Sequence, residues 1–242
     1  MKTLSTVLTL FVSCIFLSCN PEDSAGKRDL SVDENAVATL DSLSKKIGEL
    51  NSCSYTLNTI IKEKHNNAEM VEVKNEHDVY MRGPNKMYIH TKGTKGRKSF
   101  WYNGTSVAYY SYDKNVFDSV PAPSNIIAAI DTVSKKFGID FPATDFFYPT
   151  FTDDVLRQFN IVEYTGEKTV GDLTLHEITA SNDSLIFHVL VDQTTSLPYQ
   201  FELLGRSETI KNSYSATFSH WQLDPQLPDV MFEFKPSADA IR

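Results

Sequence analysis

His176-Glu177 is the pair in this chain closest to a zinc-hydrolase fragment, where a histidine ligand and a glutamate base share one helix. That chemistry needs a second histidine four residues on, and position 180 is an alanine. The segment also alternates like a strand, which sends His176 and Glu177 to opposite faces. His176 with His188 or His220 would need neighbouring strands to assemble a site, without the compact spacing of a metal motif, so hydrogen-bonded or exposed histidines are the simpler reading. Asp153-Asp154 supplies two carboxylates of the kind that cleave glycosidic bonds, yet beside Thr152 they suit the positive end of a helix equally well. No Gly-x-Ser-x-Gly elbow occurs. Lys92-Gly93-Thr94-Lys95-Gly96-Arg97-Lys98 is basic but lacks a P-loop's spacing and following helix, and reads as a solvated hairpin loop. The expectation is a non-enzymatic chain without cofactor or metal.

One side chain is placed for covalent chemistry of another kind. Met1-Lys2 precedes an apolar run from Leu4 to Leu17, shorter than the roughly 20 residues a membrane span requires. Basic start, short apolar stretch and small residue before the cut describe a secretory signal. The close of the run, Phe16-Leu17-Ser18-Cys19, resembles the lipobox of bacterial lipoproteins, in which the cysteine thiol becomes a diacylglycerol thioether and cleavage falls just before it. Phe16 is bulkier than the usual leucine, and Cys14 as acceptor would leave too short an apolar region. Residues 1–18 are therefore expected as signal and 19–34 as a solvated tether lipidated on Cys19, its partner a membrane. Asn20 after the cysteine resembles an outer-membrane address, and Glu22-Asp23 resembles the surface-export signal of Bacteroidetes lipoproteins. The expected location is the cell envelope, at the outer membrane facing the periplasm or the cell surface.

About 205 residues remain, enough for one domain with a sizeable core. With Cys19 acylated, Cys53 stands alone, and its place at the start of an apolar-alternating segment suggests a buried small hydrophobe. The formal charge of −8, or −9 once Lys2 is removed with the signal, argues against nucleic-acid partners.

The elements follow from periodicity. From Asp33, Val37, Leu40, Leu43, Ile47 and Leu50 recur at helical spacing, with Asp33 as N-cap and Asn51-Ser52 closing the helix. The period then becomes two: Val71, Val73, Val79 and Met81 alternate with Glu72, Lys74, Glu76 and Asp78, the mark of a strand with one wet face. Runs 55–62, 86–91 and 97–102 continue the pattern, and Asn103-Gly104 predicts a tight hairpin into 107–110. A helical insertion follows: 125–137 capped by Ser124, an aromatic stretch from 140 to 151, and a short helix begun by Thr152-Asp153-Asp154 and running through Gln158. Strands resume at 161–164, 173–180, 184–192, 198–204 and 213–223; Leu185, Phe187, Val189 and Val191 share one face, as do Tyr199, Phe201 and Leu203. The fold class is mainly β with helices: one large, curved, unclosed antiparallel sheet with helices on its concave side.

A resemblance rests on 97–104, Asn115-Val116-Phe117, Ala122-Pro123, 137–142 through Asp145, Trp221-Gln222-Leu223-Asp224-Pro225 and Phe232-Glu233-Phe234. Together these resemble a domain-of-unknown-function family of predicted periplasmic proteins, itself similar to the lipoprotein-carrier superfamily of LolA, LolB and RseB. The resemblance runs from about the first helix to Phe234, within a single domain expected over 35–242, and implies a half-barrel over an apolar cavity, in which LolA-like members bind acyl chains; it carries no catalytic residues. Val79, Phe100, Tyr102, Tyr109, Ile127, Ile130, Phe147, Phe187, Phe201 and Leu203 are the expected cavity lining. An unclosed curved sheet cannot fill its interior with strand side chains alone. Either the insertion plugs it, or a lipid or lipoprotein ligand shares the space. The alternative is an RseB-like partner-recognition or structural envelope protein with a closed core; a hydrolase using Asp153 or His176 is a third.

Overall fold

The computed structural model describes residues 30–64, 70–137, 141, 143–206 and 213–242; the signal, Cys19 and the tether up to residue 29 lie outside the described residues, as does Gly138, the glycine just past the helix expected over 125–137. Twelve strands form one sheet: β1 (Ser31–Val32), β2 (Ser52–Lys64), β3 (Met70–Arg82), β4 (Lys86–Gly93), β5 (Gly96–Tyr102), β6 (Ser106–Ser111), β7 (Val116–Pro121), β8 (Ile161–Val170), β9 (Leu173–Ser181), β10 (Leu185–Asp192), β11 (Pro198–Gly205) and β12 (Ser213–Leu223). Their spatial order is β1-β8-β9-β10-β11-β12-β2-β3-β4-β5-β6-β7, with β12 joined to β2. All neighbours are antiparallel except β1, which lies parallel to β8. The sheet is curved and unclosed, as its alternation predicts.

Alternation explains which face is buried. In β3, Val73, His77, Val79 and Met81 are buried while Glu72, Lys74 and Glu76 are exposed. The register places Leu57 opposite His77 and Tyr55 opposite Val79, so the inward phase runs unbroken from strand to strand. The Asn103-Gly104 hairpin forms as read: the Asn103 side-chain oxygen accepts from the backbone N–H of Thr105 and Ser106 at 3.1 Å, and Gly104 takes the positive φ of 92° that the turn demands.

Among the described residues three helices accompany the sheet: α1 (Glu34–Gly48), α2 (Ile126–Phe137) and α3 (Phe151–Gln158), with a 3-10 turn at Thr144–Phe147 between the last two. Asp33 caps α1, its carboxylate accepting from the N–H of Asn35 at 2.7 Å, and the helix buries Ala36, Leu40, Leu43 and Ile47. Burying each of those leucines contributes roughly 1.5–3 kcal/mol. Side chains from all three helices join the inward sheet residues in one core.

Four details depart from the reading of the sequence. The 116–121 segment is a full strand, because Val116, Phe117 and Val120 pair with β6 despite the intervening Asp118-Ser119. Asn125, not Ser124, caps α2, accepting from Ile127 N–H at 2.9 Å and Ala128 N–H at 3.2 Å. Thr152 does not begin α3: Thr150 is the capping position, and Thr152 lies buried inside the helix with its hydroxyl 3.2 Å from that of Ser44. β1 pairs within residues expected as tether.

Candidate functional site

The insertion brings its aromatic rings to those of the sheet. Phe141 meets Phe100 of β5 edge-on at 5.3 Å between centroids. Phe146 packs on Phe201 of β11 at 5.1 Å and on Phe218 of β12 at 5.8 Å, and Phe147 stacks along Tyr55 of β2 at 6.1 Å. Trp221 closes one side, 4.5 Å from Tyr55. Rings of the described insertion residues thus pack on the inward face of the half-barrel, in the position of a plug. A rim hollow of about 210 Å³ opens between α1 and the plug, lined by Ser44, Ile47, Phe146, Phe147, Tyr148 and Pro149 among others.

The expected lining residues fall largely together. Val79, Phe100, Tyr102, Ile130, Phe187, Phe201 and Leu203 are buried members of the core, and Tyr109 and Phe147 pack against it. Ile127 stands apart: it is half-buried on α2 and outside the core, which uses Ile126, Ala129, Ile130 and Val133 of that helix instead. A three-residue stride from Ile130 reaches Ile127, but the stripe that meets the sheet is offset by one position.

Two polar groups on the inward face are unusual. The Tyr214 hydroxyl of β12 is buried and has no hydrogen-bond partner among the described residues. Burial first, and the Asp145 carboxylate second, hold its pKa far above the usual phenol value, so it stays a proton donor. Lys98 of β5 shares the inward phase with Phe100 and Tyr102, opposite Thr91 of β4 and Ser111 of β6. The sequence reading placed Lys98 in a solvated loop. The hairpin itself is Thr94-Lys95 between Gly93 and Gly96, where Lys92 pairs with Glu76 and Arg97 with Asp113 on the outside. Lys98 points the other way, and its spacing of two from Phe100 was the available signal.

His77 was not singled out in the sequence, although it occupies the apolar phase of β3. It is buried between Thr59 and Thr91, its Nε2 3.1 Å from one hydroxyl and its Nδ1 2.9 Å from the other. Burial first, and Lys98 second, push its pKa down to about 3, so the ring is neutral. Cys53 is buried as read, and burial followed by the Asp224 carboxylate raises its thiol to about 12. The other chemical candidates are dispersed. His176 is 2.9 Å from the Tyr164 hydroxyl, and His188 is 2.9 Å from Thr179. Thr179 pairs across the sheet with His188 and is offset by three positions from His176, so the two imidazoles occupy opposite faces. Asp154 accepts from Thr150 at 2.6 Å and from Arg157 at 2.5 Å, a helix-start role. Among the described residues no three His, Cys, Asp or Glu side chains converge on a metal position.

Comparison with known proteins gives a family and several likenesses. The family model described as "Predicted periplasmic protein (DUF2092)" matches residues 36–242. A search of curated proteins finds no match. Among solved structures, lipoprotein LppX of Mycobacterium tuberculosis aligns with a TM-score of 0.49 at 12% identity, covering 81% of this chain and 98% of that one. The MucA/MucB complex of Pseudomonas aeruginosa aligns at 0.44 and 10% identity, covering 83% and 61%. A LolA-superfamily protein from Nitrosomonas europaea aligns at 0.38 and 11% identity, covering 82% and 97%.

Proposed function

The chain belongs to the DUF2092 family of predicted periplasmic proteins, and from that premise we propose that it is an envelope lipoprotein whose half-barrel binds an apolar ligand. The ligand is an acyl chain, a lipid or the lipid part of a lipoprotein, and it takes the place of the plug's rings against the sheet. Lipid on Cys19 tethers the domain to the outer membrane. The proposed role is binding rather than catalysis; of the residues weighed for hydrolysis, His176 is hydrogen-bonded to Tyr164, and Asp154, beside Asp153, to Thr150.

The observation that carries this reading is Tyr214. A buried hydroxyl without a partner costs about 1–3 kcal/mol, and folded proteins seldom keep one without use. Here it lies against Phe201, 5.3 Å between ring centroids, in the aromatic interior that the plug covers. A ligand with a polar end and an apolar body satisfies both kinds of surface. Its transfer from water contributes roughly 0.8 kcal/mol per methylene buried. α2 joins the core through one described stripe, Ile126, Ala129, Ile130 and Val133.

The test is native mass spectrometry of the protein after gentle purification, combined with uptake of a fluorescent fatty acid. Co-purifying lipid or saturable uptake is expected. Repeated absence of both would end the proposal.

A second reading, recognition of a protein partner by a closed domain, draws on the outward face. Tyr80, Tyr88 and Trp101 form a half-exposed row across β3, β4 and β5, with centroids 5.8 and 5.2 Å apart. Half-exposed aromatic rings are the side chains that protein interfaces favour. Loss of a pulldown partner in Trp101→Ala, with lipid uptake absent throughout, would favour it.

A further inference from the structure

Lys98 lies on the inward phase of β5, and among the described residues no ion pair or hydrogen bond to its ammonium is found. Its ammonium instead sits 5.9 Å from the centroid of the buried Phe100 ring. Cross-strand neighbours on the same face are the hydroxyl residues Thr91 and Ser111. His77, which Lys98 influences, is hydrogen-bonded to Thr59 and Thr91 and brings no negative charge. The result is an inward face with a polar stretch at Lys98, Thr91 and His77 and an aromatic stretch from Phe100 onward.

A lysine whose only purpose was to cover Phe100 with its aliphatic stem would need no ammonium, and a methionine would pack there equally well. A cation beside a ring gains about 0.5–2 kcal/mol, which offsets only part of the cost of taking an ammonium out of water. Enclosure, with Lys95 adding repulsion, lowers the Lys98 pKa, the response of a cation without a counter-ion.

We infer that Lys98 anchors the head group of the ligand: its ammonium receives the carboxylate or phosphate of a single-chain amphiphile whose tail lies along Phe100 and Tyr109. This rests on the ligand-binding reading above and narrows it from apolar ligands in general to anionic amphiphiles. Phe100 and Tyr109 face each other across β5 and β6 with centroids 5.1 Å apart, so the tail continues directly from the head-group position into aromatic surface. Ser111, opposite Lys98 on β6, can donate to a remaining head-group oxygen, while the Thr91 hydroxyl is engaged by His77.

The experiment compares palmitate, hexadecyl phosphate and hexadecanol as ligands of the full mature protein at pH 7.4, by displacement of a fluorescent fatty acid. A charge-assisted contact predicts that at least one anion binds about tenfold more tightly than the alcohol. Lys98→Met is expected to remove that preference while leaving hexadecanol affinity within about twofold, and Lys98→Arg to retain it. Equal affinity of acid, phosphate and alcohol for the unaltered protein would overturn the Lys98 assignment and leave the apolar pocket standing. A preference that survives Lys98→Met would overturn it as well. If none of the three compounds binds, the ligand-binding reading itself fails. The unaltered protein and Lys98→Arg decide the matter even if Lys98→Met does not fold.

Discussion

Phe146 of the plug stands edge-on to Phe201 of β11, their planes inclined by 64° and their centroids 5.1 Å apart. The same ring touches Phe151 of α3 at 4.7 Å and Phe218 of β12 at 5.8 Å. One side chain thus ties the insertion to two strands and a helix. It carries two jobs at once, holding the domain together and occupying the space proposed for ligand.

Those jobs separate in Phe146→Ala. Truncating a fully buried phenylalanine costs about 3–5 kcal/mol, read by urea denaturation. The vacated volume is expected to raise uptake of an environment-sensitive fatty acid in the folded protein. A large loss of stability with no change in uptake would mean that the ring is core and nothing more.

Tyr214→Phe moves the other way. Removing a hydroxyl that has no partner leaves the ring packing intact, so stability is expected to rise by about 1 kcal/mol. Affinity for an amphiphile with a polar end is expected to fall. A melting temperature that drops in this variant would reveal a hydrogen bond that the hydroxyl makes in solution.

His77 makes stability depend on acidity. Its pKa is near 3 in the folded chain, because burial and then Lys98 disfavour the cation, and near 6.5 when unfolded. Between those values the unfolded state holds the extra proton, so stability declines as pH falls. From pH 7 to pH 4.5 the His77 contribution to that decline is about 2–3 kcal/mol. Urea midpoints for the native protein and His77→Gln at both values should show a shallower pH slope in the variant.

Asp33→Ala tests the cap of α1. Losing the acceptor for Asn35 N–H is expected to cost about 1 kcal/mol, with little effect on ligand uptake since Asp33 lies at the helix entrance. Circular dichroism melts of the two proteins measure it.

The sheet was legible because most of its strands carry a two-residue period that one wet face imposes: Glu72, Lys74 and Glu76 against Val71, Val73 and Val79. β7 was not, since Asp118-Ser119 breaks its apolar run and its pairing with β6 is a long-range fact. Asn125 and Ser124 are both competent caps, and only backbone direction chose between them. The choice between the two ways of occupying the interior was beyond reach for a similar reason. Whether Phe141, Phe146 and Phe147 enter the sheet's hollow depends on how the chain crosses it, which no local pattern encodes. His77 and Lys98 did leave a trace, as polar residues on the buried phase of otherwise apolar strands. That mismatch between residue type and phase is the signal by which such positions can be found in related chains.

Ile241 lies beside β7, its carbonyl accepting from Phe117 N–H at 2.9 Å and its own N–H donating to Asn115 at 3.0 Å. The outermost strand therefore meets a segment of its own chain where a foreign strand would otherwise add. Shortening the protein by a few residues at that end would uncover backbone groups of β7 on which a second copy could add a strand.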